Sequence, residues 1–172
     1  MNLEFLGTAL AALESPSKML LLLVVANGVP ILSKKIFGAT FDRPLDNGMQ
    51  LRDGHPLFGP SKTIRGVVLS IAATALAAVA LGFGWTDGAL VALLAMLGDL
   101  ASSFVKRRLG RPPSSMVLGL DQIPETLLPT LAFRTRLGLT AWDIAGVVFA
   151  FILLELLLSR LLLGLRLRGR PY

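Results

Sequence analysis

Several apolar runs in this 172-residue chain approach the roughly 20 residues that carry a helix across a bilayer. They constrain the fold more than any motif does, because backbone inside lipid must satisfy its own hydrogen bonds. Hydrophobic residues make up 53% and charged residues 16%, with a mean hydropathy of +0.69, which is outside the range of soluble domains. The expectation is an all-α polytopic membrane helix bundle, a single integral membrane domain over residues 1–172. Its five spans are expected at about 17–37, 64–83, 89–105, 116–133 and 141–163, with a long polar loop over 38–63. There is no cysteine, which excludes disulfide and thiolate chemistry, and the single His55 excludes a multi-histidine metal site. Any metal would be oxygen-bound, which favours magnesium or calcium.

Taken in order, Asn2 to Glu14 reads as a short helix closed by Ser15-Pro16-Ser17. The first span follows, with Lys18, Lys34 and Lys35 snorkelling to the interfaces and Pro30 removing one backbone hydrogen bond. Asn27 reads equally as a helix–helix hydrogen-bonding residue or a site residue. The loop keeps Phe41, Leu45, Leu51, Leu57 and Phe58 spaced through it, so it is expected to fold back onto the helices. Gly59-Pro60-Ser61-Lys62-Thr63 is not a P-loop, since the lysine lies three residues past the glycine and no strand precedes it. It nonetheless opens a helix whose free N–H groups and added cations suit an anion, or it is an ordinary capped entry. The second span is rich in small residues, and a turn over Gly84–Gly88 leads to the third. The fourth is irregular, with Asp121-Gln122, Pro124-Glu125 and Pro129, and such a segment is tolerated only against protein or a cavity. Glu155 of the fifth span either faces the bundle or pairs with Arg160. Lys and Arg concentrate in the long loop, the Lys106–Arg111 turn and the Arg166, Arg168, Arg170 tail. This bias predicts a cell-membrane protein with its N-terminus outside and its C-terminus in the cytoplasm, with loop and turn on the cytoplasmic side.

Chemistry is concentrated in Gly98–Arg108. Asp99, Ser102, Ser103, Lys106 and Arg107 fall at offsets that share one helix face, a carboxylate toward the membrane interior and cations at its edge. Ionisable groups in a membrane segment mark a functional site by default. A metal ion and a phosphate chain could share this face, and Asp121 is expected to meet Asp99 inside the bundle. His55 reads as a loop hydrogen-bonding residue. The net charge of +6 does not point to nucleic acid, because the cations flank spans. Two other classes stay open: a small ion transporter or channel using Asp99, Asp121 and Glu155, and a non-catalytic membrane assembly protein.

The ordered set Pro44-Leu45-Asp46-Asn47-Gly48, Asp53-Gly54, Leu57-Phe58-Gly59, Lys62-Thr63-Ile64-Arg65-Gly66, Gly98–Arg108 and Leu120-Asp121-Gln122 resembles the archaeal CDP-archaeol synthases, distant relatives of the bacterial CDP-diacylglycerol synthases. The resemblance implies magnesium-dependent transfer of CMP from CTP to a membrane lipid phosphate, with release of pyrophosphate. It implies Asp99 and Asp121 as metal-binding carboxylates, and with Lys62 and Lys106 as the catalytic set. Lys62, Arg65, Lys106 and Arg107 would lie near the phosphates, with Asp53, Thr63 and Ser103 of the same motifs as further substrate contacts. After Leu-Asp-Gln the family usually offers another acidic residue and an aromatic one, where this chain has Ile123-Pro124-Glu125-Thr126. Either Glu125 stands in from a shifted backbone, or the surroundings of the metal differ. Archaeol phosphate is the expected acceptor and phosphatidate its nearest rival. A lipid phosphate monoester is largely dianionic at neutral pH, so the reaction needs no general base. It needs charge neutralisation and in-line placement.

Overall fold

The computed structural model describes the backbone of residues 3–164 and the side chains of residues 13–160. The Arg166–Arg170 tail lies outside the described residues. All regular structure among the described residues is helical: α1 (Leu3–Phe37), α2 (Ile64–Ala80), α3 (Trp85–Arg108), α4 (Gln122–Ala132), α5 (Arg134–Leu137) and α6 (Ala141–Gly164). Helices α1, α3 and α6 contain segments long and apolar enough to cross a membrane, and α2 is a shorter apolar helix.

Three expectations are corrected. Ser15-Pro16-Ser17 does not end a helix, and α1 runs through Pro16 and Pro30 without a break. Proline removes only its own N–H, and around Pro16 a Glu14–Lys18 ion pair of 2.6 Å bridges the turn. At Pro30 the carbonyl four residues back, on Ala26, accepts instead from the Ser70 hydroxyl of α2 at 2.6 Å. The turn expected over Gly84–Gly88 is shorter, because Asp87 lies in the first turn of α3 and accepts from the Gly84 N–H. The fourth segment is helical only from Gln122 to Ala132, with turns at Pro113–Ser114 and Leu118–Asp121 ahead of it.

Small residues set the crossings. A Cβ on Gly88 would stand 2.5 Å from the Ala78 Cβ and 2.8 Å from the Ala75 Cα, so α2 and α3 touch backbone to backbone there. A Cβ on Gly98 would stand 2.5 Å from the Glu125 Cα, which puts α4 directly on α3 one residue before Asp99. The apolar core joins Met19, Leu23 and Ala26 of α1 to Val91, Ala92 and Ala95 of α3, with Phe133, Val147 and Phe151 behind. At the far end from the Lys62–Asp99 pair, Arg136 of α5 pairs with buried Asp87.

The loop over 38–63 does fold back onto the helices. Two isolated antiparallel bridges, Pro44–Thr63 and Gln50–Pro56, fold it into a compact unit. Its centre is Asp46, whose Oδ2 accepts from the N–H groups of Phe58 and Gly59, each at 2.9 Å, and whose Oδ1 accepts from Gly48 at 3.0 Å.

A carboxylate and lysine cluster as candidate active site

Two lysine–aspartate pairs stand where the loop meets α3 and α4. The Lys62 ammonium donates to both oxygens of Asp99, at 2.6 and 2.5 Å, from opposite ends of a 37-residue separation. Lys106 lies 2.6 Å from Oδ1 of Asp121 and donates to the Ser115 carbonyl at 2.8 Å. Asp121 Oδ1 is buried with no hydrogen bond of good geometry, while Oδ2 accepts from the Val117 N–H at 2.9 Å. Local sequence explains the placement. Asp99 and Lys106 sit two turns apart on α3, and Asp121 is held at the start of α4 by the turn before it.

Glu125, one turn into α4, is buried, and the charges of Asp99, Glu155, Lys62 and Asp121 all act on it. The carboxylate that follows the Leu-Asp-Gln motif therefore shares the surroundings of both lysine–aspartate pairs. Glu155 is half-buried on α6 and faces this cluster. Arg107 is 3% exposed; its Nη2 donates to the Pro112 carbonyl at 2.9 Å, while Nε and Nη1 are buried without a hydrogen bond. Gly59, in a left-handed conformation with φ +95°, lies close by: a Cβ there would stand 3.8 Å from the Arg107 Nη1. Ser103 is buried on the same face, and Ser102 donates back to the Gly98 carbonyl.

The structure gives other members of the expected set different surroundings. Arg65 is tied to the loop: its guanidinium donates to the carbonyls of Gly38 and Thr40 and pairs with Asp42 at 3.1 Å. Thr63 caps α2, its hydroxyl accepting from Gly66 at 3.1 Å. Asp53 pairs with Arg108 through both oxygens at 2.7 Å, and Arg108 also donates to the carbonyls of His55 and Pro56. The backbone N–H of His55 and the nearby Arg108 hold the Asp53 carboxyl below the usual carboxylate range despite some desolvation. Burial pushes the Asp46 carboxyl up, and the N–H groups of Gly59, Phe58 and Gly48 outweigh it and bring it down. His55 takes part through its backbone, as a loop hydrogen-bonding residue. Sequence reading missed Asp46 as the organiser of the loop, because its partners lie 12 and 13 residues away in an irregular segment.

Among the described residues no three carboxylate or imidazole groups close around a metal ion by themselves. The donor set still fits magnesium, which commonly takes one or two carboxylates and completes its shell with substrate phosphates and water. Hard carboxylate oxygens are present, and one of them, Asp121 Oδ1, lacks a hydrogen bond.

No protein-family model matches the chain. It is similar to the CDP-archaeol synthase of Sulfurisphaera tokodaii, 30% identical over 135 residues that cover 75% of this chain and 81% of that protein. It is 38% identical to the CDP-archaeol synthase of Saccharolobus solfataricus over 125 residues, 62% of this chain and 69% of the relative. Its fold matches a solved structure of an intramembrane enzyme for archaeal membrane lipid biosynthesis, with a TM-score of 0.63 and 34% identity over 80% of this chain and 90% of the other. Sequence relatives, shared fold and the ordered polar motifs agree, and the chain belongs to the CDP-archaeol synthase family of membrane-embedded enzymes.

Proposed function

We propose that this chain transfers CMP from CTP to a membrane lipid phosphate, archaeol-type by family, giving a CDP-lipid and pyrophosphate. The observation that carries this reading is the pairing of Asp99 with Lys62 and of Asp121 with Lys106 at one end of the bundle. Two carboxylates and two ammonium groups there can accept a cation and a polyphosphate together. A lipid phosphate oxygen attacks the α-phosphorus of CTP, the bond to the β-phosphate oxygen breaks, and pyrophosphate leaves with that electron pair. Asp99 and Asp121 would hold magnesium, which supplies neutralisation of charge on the phosphates when bound. Lys62 and Lys106, released from the carboxylates, face the polyphosphate, and Arg107 offers its two buried unpaired nitrogens. Arg65, Thr63 and Asp53 act on this reading by fixing the loop and the start of α2. The loop and the Lys106–Arg111 turn face the cytoplasm, where the nucleotide is, and the N-terminus lies outside.

The assay follows label from CTP carrying radioactive α-phosphate into ether-linked and ester-linked lipid phosphates side by side. Label should enter the ether-linked acceptor preferentially. Asp99→Asn and Asp121→Asn keep size and lose charge, and each should lower magnesium-dependent turnover by about a hundredfold or more. Near-normal turnover of either variant at limiting magnesium removes that residue from the metal site.

A further inference from the structure

A cleft opens where the apolar core between α1 and α3 ends. The core stops at Ala26 and Ala95; the next turns contribute Pro30, Met96 and Leu100, joined by Val67 of α2, to the cleft wall. Its other end is polar, with Lys34, Lys62 and Asp99 in the lining. Asp42 lines it too, but its carboxylate is engaged by Arg65. Lys34 is exposed and has no carboxylate partner among the described residues. Exposed Ile31 and Leu97 neighbour the lining residues Pro30 and Met96, so the cleft borders surface suited to lipid. The lining therefore combines ammonium groups that suit a phosphate with apolar side chains that suit hydrocarbon.

We infer that this cleft is the acceptor site, holding a lipid phosphate monoester between the Lys34 and Lys62 ammonium groups with its chains passing Pro30 and Met96 into the bilayer. The inference rests on the transferase reading above and adds Lys34, a residue outside the motifs, as a substrate-positioning group. Lys34 stands in the last turn of α1, where a cation also complements the helix dipole, as does its neighbour Lys35. Lys35 does not line the cleft, which makes it the control.

Two measurements in detergent separate the possibilities. In initial-rate assays, Lys34→Gln should raise KM for the lipid phosphate about tenfold, the loss of one charge-assisted contact. KM for CTP and kcat should hardly move, Lys34→Arg should restore the wild-type value, and Lys35→Gln should resemble wild type. A rise in KM for CTP in place of the lipid would make Lys34 a nucleotide contact and overturn the inference. Equal effects at Lys34 and Lys35 would mean a diffuse surface field and overturn it as well. The second measurement needs no turnover: thermal stabilisation by a short-chain ether-linked glycerol phosphate lipid without nucleotide, against the same lipid bearing a free hydroxyl. Wild type should be stabilised by the phosphate form only, and Lys34→Gln should need about ten times more of that lipid for the same shift. An unchanged lipid concentration dependence in Lys34→Gln sinks the cleft assignment, whereas absent transfer with this pattern intact sinks only the transferase reading.

Discussion

Asp46 shows how one side chain can shape a whole loop. It gathers the N–H groups of Gly48, Phe58 and Gly59, and so holds the loop beside Arg107, where a Cβ on Gly59 would stand 3.8 Å from the guanidinium. Hydrogen bonds to a charged acceptor contribute about 1.5–3 kcal/mol each in favourable cases, so Asp46→Asn should loosen the loop while leaving the helices intact. The pH dependence has a definite sign. The folded carboxyl is depressed, so its contribution is complete above the unfolded value of about 3.9 and is lost as pH falls through the lower folded value. Amide hydrogen exchange at Phe58 and Gly59 should therefore differ strongly between wild type and Asp46→Asn at about pH 7, and the gap should narrow progressively as pH falls below about 3.9. A constant gap across that range would show that charge is not what holds the loop. Asp99 and Lys106 stood out in the sequence because a charge in or at the edge of an apolar run needs a reason, Asp121 because polar residues broke an expected span, and Lys62 because it stands at a helix entry. Arg65 and Thr63 were legible as a helix entry, and their loop-binding and capping contacts became visible only with the loop folded.

Between α3 and α4 the backbones meet at Gly98, next to Asp99 of the proposed metal site. The obstacles a methyl group would meet there are backbone atoms of Pro124 and Glu125, which cannot rotate aside. Gly98→Ala should cost about 1–3 kcal/mol through overpacking and should separate Asp99 from Glu125. Gly28, also helical but with open space around it, is the matched control; Gly28→Ala should be neutral or stabilise by up to about 1 kcal/mol. Thermal melts and turnover of the two variants check this, and equal losses would show that helix propensity, not contact, decides. Element positions were readable from hydropathy to within a few residues for α2, α3 and α6, since their apolar runs are unbroken. Two of the three corrected expectations share a cause. Proline was taken as a stop in α1, where neighbouring groups compensate, and the polar residues before Gln122 were taken as part of a span, where they form turns. Propensity is local, and compensation by Ser70 or by a facing helix is not.

Across the whole molecule, the short α2 packs on α1 and α3 and the short α4 on α3 and α6, with the polar cluster where α3, α4 and the entry to α2 converge. Family membership separates the enzyme from the transporter and assembly alternatives. The short helices have a mechanical consequence. At about 1.5 Å per residue, the 17 residues of α2 span about 25 Å and the 11 of α4 about 16 Å, against a hydrocarbon core of about 30 Å. A bilayer meeting this shape dimples, and the energy of that dimple grows with membrane thickness. Reconstitution into vesicles whose lipids differ only in chain length should give fastest turnover in the thinner bilayers, and turnover indifferent to thickness would show that the shortfall is filled by protein alone. An enzyme that builds membrane lipid would then answer to the thickness of what it has built.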